Sequence, residues 1–135
     1  MSDLFEWPVR VYYEDTDVGG VVYYANYLRF MERARTEWLR QLGFEQDELI
    51  RDDGVLFAVA AAEVRYRAPA RFNDLLHVTA AVTEQRRSRI IFEQKVYRPA
   101  DGAHLTDGII TVACLDAERF RPRPLPDSMQ RILFA

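Results

Sequence analysis

Cysteine occurs once in the 135 residues, as Cys114, and histidine only twice, as His77 and His104. One cysteine forms no intrachain disulfide, and so few Cys and His residues do not furnish a zinc cage. Lysine is equally scarce: Lys95 stands alone, so arginine supplies the other 17 of the 18 basic residues. Set against 21 acidic residues they leave a net charge of −3, which removes the bulk electrostatic case for a nucleic-acid partner. Long apolar runs are missing as well. The longest, Val55 to Ala62, has eight residues, against the roughly 20 that a membrane-spanning helix needs. Met1 to Glu6 lacks both the basic and the apolar region of a signal peptide. With an unpaired cysteine, this makes the cytoplasm the expected compartment. An enzyme of this composition working without a metal would rely on Asp, Glu, Ser, Thr, Tyr or the backbone.

What is present describes an ordinary globular chain, 49% apolar and 29% charged, of a length suited to one domain over residues 1–135. Val9 to Tyr13 is rich in β-branched and aromatic residues and reads as a strand. Glu14 to Gly20 is an acidic loop. From Tyr24 to Leu42, apolar residues at Tyr24, Tyr27, Leu28, Met31, Ala34, Trp38 and Leu42 have the spacing of one helix face. Arg29, Glu32, Arg33, Glu37 and Arg40 lie opposite, and Gly43 sits where a helix ends. After a short polar stretch from Glu45 to Asp53 that admits a helix, strand patterns follow at Val55–Tyr66, Leu76–Thr83, Arg89–Arg98 and Leu105–Asp116. The last three have connections too short for helical crossovers and read as an antiparallel meander. Asp127 is a candidate N-cap for a short terminal helix. One long amphipathic helix and about five strands are most economically combined as an α+β fold, a curved antiparallel sheet wrapped around the helix. Its open edges invite closure by a second copy.

The densest chemistry lies in Tyr13-Glu14-Asp15-Thr16-Asp17-Val18-Gly19-Gly20-Val21-Val22-Tyr23-Tyr24-Ala25-Asn26-Tyr27. Carboxylates, then glycines, then a helix start bring together a base or nucleophile, a closely approachable backbone and unpaired N–H groups suited to an oxyanion. The plainer reading makes Asp15 and Asp17 solvated turn residues and Gly19-Gly20 a bend.

The string from Val9 to Leu39, with its Asp-x-Asp-x-x-Gly-x-Val-x-Tyr stretch leading into Glu-Arg-Ala-Arg-Thr-Glu, resembles the hotdog-fold acyl-CoA thioesterases. The branch is that of 4-hydroxybenzoyl-CoA thioesterase, and within it the bacterial YbgC type associated with the Tol-Pal system. The likeness continues at Tyr66-Arg67-Ala68-Pro69-Ala70-Arg71 with Asp74, and at Arg121-Pro122-Arg123-Pro124-Leu125-Pro126, so it covers nearly the whole chain. The resemblance implies a hotdog fold and hydrolysis of short- to medium-chain or small aromatic acyl-CoA. Coenzyme A is then part of the substrate, and no separate cofactor is implied. By the same resemblance Asp17 is the catalytic carboxylate, as nucleophile or as general base. The N–H of the first helical residue, here Tyr24, polarises the thioester carbonyl. YbgC-type proteins usually have histidine where this chain has Tyr24, while the hydroxybenzoyl-CoA enzyme has tyrosine; a backbone donor survives that exchange.

Gly19, Gly20 and Val21 are further candidates for substrate contact, with Asn26 and Tyr27 at the pocket mouth, although Tyr27 equally suits packing. Arg86-Arg87-Ser88-Arg89 joins two strands and resembles the basic turn that grips CoA phosphates; its plain reading is a solubilising turn. Arg121 and Arg123 are weaker phosphate candidates, and Glu32 is a reserve carboxylate on the helix. His77 and His104 suit hydrogen-bonded strand positions, and Cys114 an inert core site. The expected assembly is a dimer or tetramer with sites at subunit interfaces. Two other functions compete: an acyl-CoA or acyl-carrier-protein binding module without catalysis, and a hotdog dehydratase, whose histidine the signature loop lacks.

Overall fold

The structure is a computed structural model and describes residues 4–133. Five strands form one antiparallel sheet: β1 (Phe5–Arg10), β2 (Val55–Tyr66), β3 (Leu75–Arg86), β4 (Arg89–Arg98) and β5 (Ala103–Asp116), in the spatial order β1-β3-β4-β5-β2. Helix α1 (Asn26–Gln41) lies across one face, with a short helical passage α2 (Gln46–Glu48) and a terminal helix α3 (Asp127–Leu133). The expected curved sheet around one long helix, and the β3-β4-β5 meander, are present.

Some boundaries differ from the sequence pattern, each for a physical reason. The first strand is Phe5–Arg10, upstream of Val9–Tyr13, because Pro8 is tolerated on an edge strand. Val11 still exchanges bonds with Asp74 and Asn73, after which Tyr13–Asp15 closes a 3-10 turn. The helix begins at Asn26, so Tyr24 precedes it in the entry turn. Its buried stripe is Tyr27, Phe30, Met31, Ala34, Arg35 and Leu39, while Leu28 faces outward. The helix closes with Gly43 N–H donating to Arg40 C=O and Phe44 N–H to Leu39 C=O, the paired bonds of a Schellman end.

Two contacts seat α1 on the sheet. A Cβ added at Gly108 would lie 2.8 Å from the buried Met31 sulfur, so glycine lets helix and strand approach at that point. Gln94, wholly buried on β4, donates through Nε2 to Met31 C=O at 3.0 Å and to Thr79 C=O at 3.1 Å. Its Oε1 accepts from Arg35 Nη1 at 2.9 Å. Desolvation lowers the Arg35 pKa from its ordinary value, and among the described residues Gln94 is the side-chain acceptor that the guanidinium uses.

A Gln94→Leu exchange keeps the volume but leaves the buried Arg35 guanidinium without its side-chain acceptor and removes two bonds to backbone carbonyls, and is expected to cost about 2–3 kcal/mol in urea unfolding. Arg35→Met added to it should recover a large part. Strictly additive losses in the double variant would contradict the coupling described here.

Candidate active site

The loop between β1 and α1 is organised by a carboxylate that is not solvated. Asp15 is 7% exposed, and its Oδ2 accepts the Tyr12 N–H at 2.8 Å. Its carbonyl accepts both the Tyr23 N–H and the Asn26 side-chain amide, each at 2.9 Å. Asn26, a candidate for substrate contact, thus ties the first helical residue back to the loop. Val22 N–H donates to Ala70 C=O at 2.9 Å, and Val21 bridges Arg71, so the segment after β2 braces the loop from outside.

Asp17 is exposed at the tip. Its N–H donates to Val21 C=O at 2.9 Å, its C=O accepts from Gly20 at 3.0 Å, and its Oδ1 accepts the Gly19 N–H at 2.8 Å. Gly20 has φ +80°, a conformation that favours glycine, and a Cβ on Gly19 would lie 3.1 Å from Asp17 Oδ1. Both glycines therefore serve the carboxylate's placement, and the bend reading of Gly19-Gly20 describes the same turn. Tyr24 foremost, and more weakly burial and the Asp17 charge, raise the Tyr23 phenol above its ordinary value.

The entry turn leaves a donor open. Tyr23 C=O accepts the Asn26 N–H at 2.8 Å, which turns the following N–H, that of Tyr24, away from the helix. Among the described residues no acceptor engages it. The donor thus comes from the turn before the helix and not from its first residue, a correction to the expected register. Tyr27 is buried and its Oη accepts the Ala70 N–H at 3.1 Å, so its main role is anchorage. Val22, Tyr24, Tyr27, Tyr66, Ala68 and Pro69 with Arg67 line a pocket of about 270 Å³ beside the turn. A larger groove, about 510 Å³, runs between α1 and β2 past Leu28, Glu32, Arg35, Val59 and Ala62.

The other candidates lie elsewhere. Arg86-Arg87-Ser88-Arg89 does form the β3–β4 turn, but at the far end of β3 from the loop, which is tied to the Leu75 end. Eleven strand steps separate Leu75 from Arg86, roughly 35 Å at about 3.3 Å each. Arg86 is bound to Glu84 at 2.7 Å, Ser88 C=O accepts the Cys114 N–H, and Arg87 and Arg89 are exposed. One chain therefore does not bring the arginine turn to Asp17. Arg123 is engaged with Gly54 C=O and Asp116. Glu32 accepts from Thr36 Oγ1 on the groove wall. His77 pairs with Glu6, and His104 with Asp107. Burial pushes the Cys114 thiol up to about 11, against a weaker opposite pull from Arg123, as an inert core cysteine requires.

Two residues gain roles that the sequence does not assign them. Asp15 stands in the motif as an acidic loop residue, and only the fold shows it buried. Tyr66 heads the second string of the resemblance and closes a strand pattern, and its Oη donates to the Tyr24 carbonyl at 3.0 Å. Nothing local in the sequence marks that contact.

A family model described as thioesterase-like superfamily matches residues 11–133. The chain belongs to that superfamily. It is 45% identical over 128 residues to the acyl-CoA thioester hydrolase YbgC of Escherichia coli O157:H7, spanning 95% of this chain and 94% of that protein. It is 43% identical over 126 residues to the acyl-CoA thioesterase YbgC of Haemophilus influenzae, with 93% and 91% covered. The crystal structure of a probable thioesterase from Bartonella henselae superimposes with a TM-score of 0.86 at 32% identity, covering 92% of this chain and all of that one. Among the described residues no helix is long and apolar enough to cross a membrane.

The loop's two aspartates separate in a stability measurement. Asp15→Ala is expected to lose about 1–2 kcal/mol, since a buried carboxylate capping a turn is removed. Asp17→Ala should unfold with the parent's midpoint, and equal losses at both positions would contradict this division.

Proposed function

We propose that this thioesterase-superfamily chain hydrolyses acyl-CoA thioesters to the free acid and CoA, with Asp17 and the Tyr24 N–H as its reacting groups. One observation carries the reading: an exposed carboxylate held by its own glycine turn stands on the loop that leads to an unengaged backbone donor at the helix entry. Asp17 either attacks the acyl carbon, forming an anhydride that water then opens, or takes a proton from the water that attacks. In both routes the carbonyl oxygen gains negative charge and the Tyr24 N–H, beside the positive end of α1, meets it. The carbon–sulfur bond breaks and CoA leaves as thiolate, which needs less acid assistance than an amine would. A backbone donor explains why tyrosine serves where YbgC-type proteins usually have histidine.

The acyl group is short to medium in length or a small aromatic, consistent with the tyrosines around the turn. The chain works in the cytoplasm as a dimer or tetramer; its resemblance alone supports a link to the Tol-Pal system. Asp17 is exposed and, among the described residues, β2 is an unpaired sheet edge, which supports a site completed by a second copy. Arg87, and with it Arg86 and Arg89, then grips CoA phosphates from another subunit, because its own Asp17 lies at the opposite end of the sheet.

A panel of CoA and acyl-carrier-protein thioesters followed by free thiol tests the activity. Release from CoA thioesters is expected, and release from none would leave the binding-module reading. Asp17→Asn should lower kcat about a hundredfold or more with CoA binding intact; near-full turnover would remove Asp17 from the chemistry.

Mixing subunits tests the arginine assignment. Arg87→Ala should raise KM for acyl-CoA but not for a pantetheine thioester. Co-refolding it with Asp17→Asn chains should restore a low-KM fraction, because one site in the mixed oligomer has both residues intact. Recovery of none would place the arginine and the aspartate in the same chain's site or discard the phosphate role.

A further inference from the structure

Tyr66 is the last residue of β2, and a bulge decides which way it faces. Val59 stands opposite Val112 and Ala62 opposite Ile110, so three steps along β2 cover two along β5. Val112 and Ile110 are buried beneath the helix, as is Thr106, which stands opposite Tyr66. Strand side chains alternate, so without the extra residue Tyr66 would sit on the outer face. The bulge puts it on the helix side of the sheet, half-exposed at the strand's end. There its ring meets Tyr24 edge-on at 6.1 Å and Tyr27 at 5.6 Å.

The Tyr24 carbonyl receives two donors. The helical one, Tyr27 N–H, is long at 3.4 Å, and Tyr66 Oη is nearer at 3.0 Å. On the other side of the residue, Tyr23 is held through its N–H to Asp15 and through its C=O to Asn26. Tyr24 is thus clamped at both peptides while its own N–H stays open. We propose that Tyr66 is a positioning residue of the thioesterase reaction: by its hydrogen bond to the Tyr24 carbonyl it fixes the direction of the Tyr24 N–H toward the oxyanion. The proposal rests on the oxyanion role of that N–H given above. A donor aligned beforehand needs no reorganisation as charge develops, which is where such a clamp affects rate rather than binding. Burial, and behind it Tyr24, raises the Tyr66 phenol, so it remains an O–H donor through the neutral range.

Tyr66→Phe removes the hydroxyl and keeps the ring contacts with Tyr24 and Tyr27. Its kcat is expected to fall about five- to tenfold, with KM and thermal midpoint unchanged. A CoA analogue with a trifluoromethyl ketone in place of the thioester, which mimics the oxyanion, should bind more weakly by the same factor while CoA itself binds as before. Parental kcat in Tyr66→Phe would overturn the proposal, as would equal weakening of CoA and ketone. Asp17→Asn, assayed alongside, separates the two levels. Inactive Asp17→Asn with fully active Tyr66→Phe rejects only the positioning role, whereas a ketone that binds the parent no more tightly than CoA rejects the oxyanion reading beneath it.

Discussion

The seat of α1 on the sheet is the constraint from which the site follows. Gly108 admits the Met31 side chain, and Gln94 fastens the Met31 carbonyl, so the helix has one height and one position along its axis on the sheet. Its first residue then falls at the end of the sheet where β1 runs out and β3 begins. The loop from Tyr12 to Ala25 has to cross that short gap. Asp15 supplies the order the crossing needs, since it bonds the loop's start with its carboxylate and the helix entry with its carbonyl. Moving α1 by one turn, about 5.4 Å, would break the Asn26–Asp15 bond and the Tyr66–Tyr24 bond together.

The two aspartates of one motif have opposite environments and so opposite uses. Asp15 is buried, and the oxygen that accepts the Tyr12 N–H faces the protein and not solvent. Asp17 is exposed and, with only its own glycine turn to satisfy it, keeps lone pairs free for a substrate or a water. Their separation by a single residue is what a tight turn provides: successive side chains leave the backbone in different directions, one into the protein and one out of it. An acidic loop read from composition cannot tell the two apart. The family resemblance chose Asp17, and burial of Asp15 gives that choice a physical basis without testing it.

Periodicity made the architecture legible because the helix and the meander strands each bury one face. Arg89–Arg98 agrees with β4 to the residue, and Val55–Tyr66 with β2. The errors cluster where one face is not the whole story. Leu28 has the spacing of the helix core yet faces outward, since α1 lies nearest β1 and β3 and leaves its β2 flank open as the groove. Tyr24 has the same spacing but precedes the helix, because Asp15 and Tyr66 capture its turn. The β2 bulge falls within an alanine-rich run, Ala58 to Ala62 interrupted only by Val59, where side chains too small to mark a face hide the change of parity. The bond between Tyr66 and Tyr24 joins residues 42 apart, and nothing local encodes it.

The arginine excess has a spatial answer that no count contains. Many of these arginines have an acceptor within their own chain: Arg40 with Glu37 and Glu45, Arg67 with Asp107, Arg98 with Asp74 and Asp101, Arg123 with Asp116. Guanidinium suits such roles because its fork reaches two acceptors at once, as Arg98 does. Arg35 is the exception in kind, a cation held by an amide at the floor of the groove. The β3–β4 turn differs again, projecting Arg87 and Arg89 from the end of the sheet that is furthest from Asp17. A fold that places its carboxylate and its exposed cations at opposite ends can bring them to one ligand only by pairing chains head to tail. Under the proposed phosphate role, oligomerisation is therefore part of substrate recognition and not merely closure of a sheet edge.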